Sequence, residues 1–258
     1  MPSILSSSAL VLLLTAGACT PARPQQPEGP RAARDSVIRP METFSPDVLL
    51  GDQLALTGTA RFETVTTAEL MRLQAINAEE RRSAEARIAS GPYLGDEARV
   101  LRLLPRGAAG YGTATLRAPW PLDRPFTAEL LVRLDPNPSG TASLALGFGG
   151  EPAREGRRMP SAFEVRFVFY PTGESSVELA LGDRDNFSEQ GELELPPTDW
   201  SSYAHRIGIS YAPGTLRITL DGALVQEQSV LIGGTGGVVS LAARGGPAGL
   251  RVLGWTME

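Results

Sequence analysis

The chain has 258 residues and a mildly acidic balance, with 24 Lys plus Arg against 29 Asp plus Glu and a formal net charge of −5 at pH 7. It has no cluster of positive charge with which to neutralise phosphates, which argues against a nucleic-acid partner. One histidine and one cysteine are too few ligands for zinc, haem or iron–sulfur sites.

The N-terminus contains a short apolar run that ends near the lone cysteine. The run from Ile4 to Leu14 is too short to span a bilayer, and the small residues 16–18 precede Cys19. This pattern resembles a bacterial lipoprotein signal, which implies that residues 1–18 are removed and that Cys19 is lipidated. Two features depart from it: position −3 is Ala16, and no Lys or Arg precedes the run. An ordinary secretory signal and a buried first helix are the alternatives.

The next segment, residues 19–45, is rich in Pro, Gln and Arg and has no apolar periodicity. This composition predicts a disordered tether between a lipidated Cys19 and a folded domain of residues 46–258. A lipid anchor of this kind places the protein in the bacterial cell envelope, on the periplasmic or outer-membrane side, with the membrane as a partner.

One helix is predicted early in the folded domain, at about residues 67–89. The segment from Thr66 to Glu69 has the pattern of a capping box, and apolar residues from Leu70 to Ile88 recur along one helical side. Gly91-Pro92 ends the helix. An amphipathic helix on the outside of a sheet is the preferred interpretation, and a partner-binding helix is the alternative.

From residue 98 onward, apolar residues recur at every second position. The alternation is clearest in residues 126–134, 165–169 and 215–220, and turn sequences such as Asp221-Gly222 separate the strands. Each strand then has one apolar face and one mostly polar face. The pattern predicts an all-β fold, a two-sheet antiparallel jelly-roll sandwich with one inserted helix.

Several segments resemble the L-type (legume-type) lectins of the concanavalin A-like superfamily, and the last ones also resemble laminin-G-like domains. They are residues 58–60, 110–122 and 126–134 for the opening strands, and 205–222, 237–243 and 250–257 for the closing strands. The resemblance covers most of residues 50–258. It implies a concanavalin A-like jelly roll and does not specify a ligand.

Two site features of these lectins are missing from the sequence. The strand that carries their metal-binding Glu-x-Asp pair reads Glu164-Val165-Arg166, and the segment with their sugar-binding aspartate reads Ala142-Ser143-Leu144. The lectin-type metal and sugar site is therefore expected to be lost. The Glu-x-Asp-x-x-Glu strand of related glucanases is also missing from the sequence. Glu192-Leu193-Glu194 has only two neighbouring carboxylates and lies at a predicted strand edge.

The loop from Gly182 to Glu189 has the best set of metal-binding oxygens. Asp183, Asp185 and Glu189 carry the hard ligands that calcium prefers, and no other cofactor is predicted. Arg184 lies between the two aspartates, so a solvated turn with local hydrogen bonds is the preferred interpretation.

Aromatic side chains are the candidates for stacking on a sugar ring, because a pyranose presents a flat C–H face. The candidate ligand-binding residues are Trp120, Phe187 and Tyr111. We expect Trp120 and Phe187 to be exposed, with local packing as the alternative role for each. Trp200 and Trp255 are expected to be core residues.

No catalytic residue is predicted. His205 lies on a predicted strand as a partly buried residue, and the sequence has no Gly-x-Ser-x-Gly nucleophile motif to accompany it. The sequence therefore favours a non-enzymatic, membrane-tethered β-sandwich that binds a glycan or another envelope polymer. The alternatives are a carbohydrate-active hydrolase with a non-standard site and a structural protein-interaction module that uses the helix.

Overall fold

Two antiparallel seven-stranded sheets face each other in the structure, which is a computed structural model. The structure describes residues 53–91, 97–135, 140–149, 163–181, 188–230, 237–246 and 248–258. The predicted signal peptide, Cys19 and the tether of residues 19–45 lie outside these ranges.

The strand order defines the two sheets. Sheet 1 contains, in spatial order, β1 (Leu54–Gly58), β4 (Gly110–Leu116), β13 (Val239–Gly245), β6 (Ala142–Phe148), β7 (Phe163–Phe169), β8 (Ser175–Leu181) and β9 (Ser188–Glu194). Sheet 2 contains β12 (Ala223–Val230), β11 (Gly214–Leu220), β10 (His205–Ala212), β5 (Phe126–Leu134), β14 (Leu250–Met257), β3 (Glu97–Leu104) and β2 (Arg61–Thr66). This confirms the predicted all-β, two-sheet antiparallel sandwich.

The period of two in the sequence separates the inner and outer faces of each sheet. In β5, the side chains of Phe126, Ala128 and Leu130 lie in the main apolar core, whereas Thr127 is exposed and Glu129 is half-buried. The main core collects such inward residues from both sheets. The structure therefore confirms the predicted alternation of inward and outward side chains.

The two ends of the sandwich can be named by residues of sheet 1. Phe148 ends β6 beside Phe163, which begins β7, and their rings stack with centroids 4.4 Å apart. This is the Phe148 end. The opposite end has Ala142 paired with Phe169, and we call it the Phe169 end.

The chain crosses from sheet 1 to sheet 2 between β1 and β2, beside a close approach of β4 to β3. Gly58 has a φ of 65°, a left-handed conformation that glycine adopts without strain. The hydroxyl of Thr59 then donates to the Leu103 carbonyl oxygen at 2.7 Å. A Cβ atom at Gly112 would lie 2.2 Å from that same oxygen, so a side chain at this position would push the two sheets apart.

Two helices follow β2, in place of the single helix that the sequence predicts. They are α1 (Thr67–Leu73) and α2 (Ala78–Ser90). Thr66 caps α1 as predicted, with its side chain accepting a backbone hydrogen bond at 3.0 Å. The break arises because Asn77 has an extended backbone and caps α2 in the same way, at 2.9 Å. The apolar periodicity continues across this break, so the periodicity alone does not show that the helix is interrupted.

Helix α1 covers part of the outer face of sheet 2, as predicted, and α2 packs on α1. A second apolar cluster joins α1 to the sheet, and it contains Val65, Leu70, Leu73, Ala98, Val100, Leu131, Ala204 and Leu253. On α2, Ala84 and Ile88 are buried, and the positions that are not buried are charged, Ser or Ala. The outward side of α2 therefore lacks a large apolar patch for a partner. No helix in the described part of the chain is long and apolar enough to cross a membrane.

A matched pair of leucine substitutions tests the assignment of inner and outer positions. Leu241 on β13 is completely buried in the core, whereas Leu224 on the edge strand β12 is 59% exposed. We expect Leu241→Ala to lower the free energy of unfolding by about 2–5 kcal/mol, because it leaves a cavity. Leu224→Ala should change it by no more than about 0.5 kcal/mol. Urea unfolding measures both, and equal losses would contradict the assigned strand faces.

Candidate functional site

The outer face of sheet 1 points away from the core and changes character across the sheet. One row of cross-strand neighbours on this face is Thr57, Thr113, Ala242, Ala145, Arg166, Glu178 and Glu192. The strands from β1 to β6 therefore contribute hydroxyl and methyl groups, and the strands from β7 to β9 contribute charges. A face of this kind presents both an apolar surface and hydrogen-bonding groups.

Tyr111 is the predicted ligand-binding aromatic residue that lies on this face. It belongs to β4, is half-buried, and packs against Ala145 and Ala242 in an apolar cluster separate from the main core. The neighbouring hydroxyl groups of Thr115 and Ser240 hydrogen-bond each other at 2.9 Å. The tyrosine ring thus rests on small side chains, with its hydroxyl oxygen buried and the residue as a whole partly exposed.

The charged part of the face centres on Arg166. Its guanidinium donates to the carboxylate of Glu164, which is 98% buried, and lies 3.7 Å from the carboxylate of Glu178. A buried carboxylate needs such a partner, because an unpaired charge in the protein interior is strongly destabilising. Arg166 therefore neutralises the carboxylates that face it on β7 and β8.

This arrangement does not fit a divalent metal ion at Glu164. Arg166 occupies the position of the second carboxylate in the lectin pattern. Its guanidinium already pairs with the carboxylate of Glu164. Calcium prefers several oxygen ligands, and a neighbouring guanidinium repels it. The described ranges also contain no group of three His, Cys, Asp or Glu side chains that could hold a metal ion.

The predicted calcium loop lies mostly outside the described residues. Asp183, Asp185 and Phe187 belong to residues 182–187, which are not described. Glu189 lies on β9, where its backbone pairs with Ala180. The calcium site and the ligand-binding role of Phe187 therefore remain predictions.

Glu192 on β9 does not have the property that a general acid in glycoside hydrolysis needs. β9 is the edge strand of sheet 1, as the sequence predicted. Hydrogen bonds from Ser176 and Tyr170 lower the pKa of Glu192 below its usual value. A general acid in glycoside hydrolysis requires the opposite shift. Glu192 is therefore held as a carboxylate that orients Tyr170, whose hydroxyl donates to it at 2.8 Å.

The tryptophans lie elsewhere in the sandwich. Trp200 and Trp255 are buried in the main core, as expected. Trp120 is half-buried, packs against the main core, and forms a backbone bridge with Gly237 at the Phe148 end. Its indole Nε1 is also buried. The expectation that Trp120 is exposed is therefore wrong, because its side chain packs against the main core.

His205 is buried at the start of β10, with both ring nitrogens in use. Nδ1 lies 2.8 Å from the Asp221 carboxylate, and Nε2 lies 3.0 Å from the Asp199 carbonyl oxygen. The ring also contacts the edge of Trp200 at a centroid distance of 4.8 Å. With no free nitrogen to abstract a proton, His205 holds the chain at the Phe169 end and is not a general base.

The protonation of His205 should make stability depend on pH. Burial disfavours the charged ring, but the hydrogen bonds to Asp221 and Asp199 outweigh it and hold the pKa of His205 above 6.5. The resulting stabilisation is complete below about pH 6.5 and is lost as the pH rises through the folded-state pKa. We expect urea unfolding to show wild type losing stability as the pH rises above about 6.5, with a smaller loss in His205→Gln. An identical loss in the two proteins would contradict this role.

Two residues of the face were not recognised as functional candidates from the sequence. In the sequence, Arg166 is only a departure from the lectin pattern, although the alternation on β7 places it opposite the core. The available signal for Tyr170 is its position before the Pro171-Thr172-Gly173 turn. Their importance depends on cross-strand neighbours that the sequence does not list.

The sandwich described above has the fold of the L-type lectin-like domains. Among solved structures, the chain is similar to the carbohydrate recognition domain of Emp46p in its potassium-bound form, with a TM-score of 0.56, 12% identity, and coverage of 84% of this chain and 94% of that chain. It is similar to the VIP36 exoplasmic/lumenal domain in its Ca2+/Man-bound form, with a TM-score of 0.57, 10% identity, and coverage of 84% and 88%.

A legume lectin-like domain from Entamoeba histolytica gives a TM-score of 0.54 at 8% identity, with coverage of 86% of this chain and 98% of that chain. No family model and no curated protein matches the sequence. At identities this low, the structural likeness establishes the fold alone.

Proposed function

We propose that this protein is a non-enzymatic envelope lipoprotein whose sandwich binds a glycan or another envelope polymer on the outer face of sheet 1. The observation that carries the proposal is the position of Tyr111, half-buried on the outer face and supported by Ala145 and Ala242. An aromatic ring held on a flat sheet face suits the C–H face of a sugar ring. Arg166 and Glu178, further along the same row, are hydrogen-bonding groups that can orient sugar hydroxyls.

The similar solved structures support the choice of ligand class. The Emp46p structure is a carbohydrate recognition domain. The VIP36 structure is a form with calcium and mannose bound. The present chain differs from a metal-dependent binder, because Arg166 pairs with the carboxylate of Glu164. We therefore propose binding that depends on aromatic contacts and hydrogen bonds and does not require calcium or manganese at this position.

A glycan array tests this proposal. We expect wild type to bind one class of glycan equally well with and without a chelator. Tyr111→Ala should weaken the binding by about tenfold or more, since stacking on an aromatic ring is lost. Tyr203→Ala is the matched control, because Tyr203 is a half-buried tyrosine beneath Arg81 and away from this face.

Two further variants separate the other aromatic candidates. Trp120→Ala and Phe187→Ala report whether these two aromatic residues take part. Binding that vanishes with the chelator and survives Tyr111→Ala, Trp120→Ala and Phe187→Ala would overturn the metal-independent proposal. It would instead assign the site to calcium at Asp183, Asp185 and Glu189.

The membrane tether is the second part of the proposal and is tested separately. Cys19 is the only cysteine and follows a signal-like apolar run. We expect wild type to sediment with membranes after lysis and to resist a salt wash, because several acyl chains hold a protein more firmly than one. Cys19→Ala should move it to the soluble fraction, with Ser7→Ala in the apolar run as the control. Wild type in the soluble fraction would refute the anchor.

A further inference from the structure

A groove at the Phe169 end is separate from the outer face around Tyr111 and is not used by the proposed function. It has a volume of about 630 Å³ and lies between the β7–β8 hairpin, residues 170–174, and the segment of residues 194–201. We call it the end groove. Every residue that lines it belongs to the described part of the chain.

The end groove has an apolar floor and walls of aromatic and proline rings. Phe169 and Trp200 form the floor, packed edge to face at a centroid distance of 4.8 Å. Tyr170 and Pro171 lie on one wall, and Pro197 lies on the other. Pro171 and Pro197 are exposed and Tyr170 is half-buried, so their rings are accessible to a ligand.

Hydrogen bonds hold this shape without a ligand. The indole Nε1 of Trp200 donates to the Ser175 hydroxyl at 3.1 Å. The backbone N–H of Tyr170 donates to the Glu174 carbonyl oxygen at 3.0 Å and closes the hairpin. The Tyr170 ring is further fixed by its hydroxyl group on Glu192. A preformed groove binds a ligand with less loss of conformational entropy.

The end groove is strongly acidic. Glu174, Glu194 and Asp199 line it, and none of its lining residues is Arg, Lys or His. Hydrogen bonds from Ser202 and Ser201 lower the pKa of Asp199 to about 2, so this carboxylate stays ionised. Glu194 lies at the end of an edge strand and is exposed. Three carboxylates around an apolar floor repel anions and attract a cationic ligand.

We propose that the end groove binds an extended, proline-rich peptide that carries arginine or lysine. Proline-rich segments adopt the polyproline II conformation and dock in grooves lined by aromatic side chains. The rings of Tyr170, Pro171 and Pro197 provide that lining, and Glu174 and Glu194 provide the partners for the cationic side chains. A neutral glycan would leave these carboxylates without a matching charge, so charge complementarity favours the peptide.

Fluorescence polarisation with a labelled peptide of repeated Pro-Pro-Arg triplets tests this inference. Wild type should bind this peptide and not the matched peptide of Pro-Pro-Glu triplets. The double variant Glu174→Gln/Glu194→Gln should bind at least about tenfold more weakly, since two charge-assisted contacts are lost. Glu97→Gln, a single substitution of an exposed glutamate at the start of β3, should bind like wild type.

Tyrosine variants separate the role of the ring from that of its hydroxyl group. Tyr170→Ala should lose the binding because the aromatic wall is removed, whereas Tyr170→Phe should retain most of it. Tyr111→Ala should have no effect on peptide binding, which distinguishes the end groove from the outer face of sheet 1. Thermal unfolding of each variant checks that a loss of binding is not a loss of the fold.

Because of the basic residues in this chain, cross-linking can map the site where the peptide binds. All 24 are arginine, so the protein has no lysine amine that could attack a carbodiimide-activated carboxylate. A Pro-Pro-Lys peptide should therefore be cross-linked by carbodiimide to Glu174 or Glu194, as peptide mapping would show. Unchanged binding in the double glutamine variant, equal binding of the Pro-Pro-Glu peptide, or cross-links elsewhere would each overturn the proposal. So would capture of a neutral glycan in place of the peptide by the end groove.

Discussion

Burial of the inner faces of the two sheets constrains almost everything else in this molecule. Once Val165 and Phe167 of β7 lie in the core, the residues between and beside them must point to the other side. A slip of one residue would carry Glu164 and Arg166 into the core and expose the two apolar side chains. The strand register is therefore strongly specified by the hydrophobic effect, and with it the set of neighbours on each outer face.

The strand register determines which side chains are neighbours on the outer face of sheet 1. Tyr111 rests on alanines of two neighbouring strands, and Arg166 lies beside the glutamates that face it. The buried carboxylate of Glu164 has its counter-charge inside the protein, so a bound cation is not needed to stabilise it. In this sandwich, Arg166 therefore provides the positive charge beside Glu164.

The end groove depends on different structural elements and on a different balance of charge. It is built from connections between strands, where the chain leaves the sheets, and its polar lining residues are neutral or acidic. The hydrogen bond between Tyr170 and Glu192 links it to the outer face. One fold thus supports two surfaces with distinct chemistry, a mixed polar and aromatic face and an acidic groove.

Much of the fold could be predicted because its cause is local. The alternation in β5, β7 and β11 identified the inward side chains, and Thr66 identified the start of α1 from its own capping pattern. The break before α2 was not predicted, because the apolar pattern continues on both sides of the capping residue Asn77. The exposure of Trp120 was also misjudged, since proline neighbours indicate a loop but do not show what packs beneath it.

The sequence alone therefore determined the fold class and the inward set of residues, both of which follow from residue types at fixed spacing. Only the tertiary structure decided which distant residues meet. Tyr111 joins Ala145 and Ala242 across three strands, and His205 joins Asp221 and Asp199. These neighbours are far apart in the chain, and sheet pairing, which depends on burial over the whole domain, brings them together.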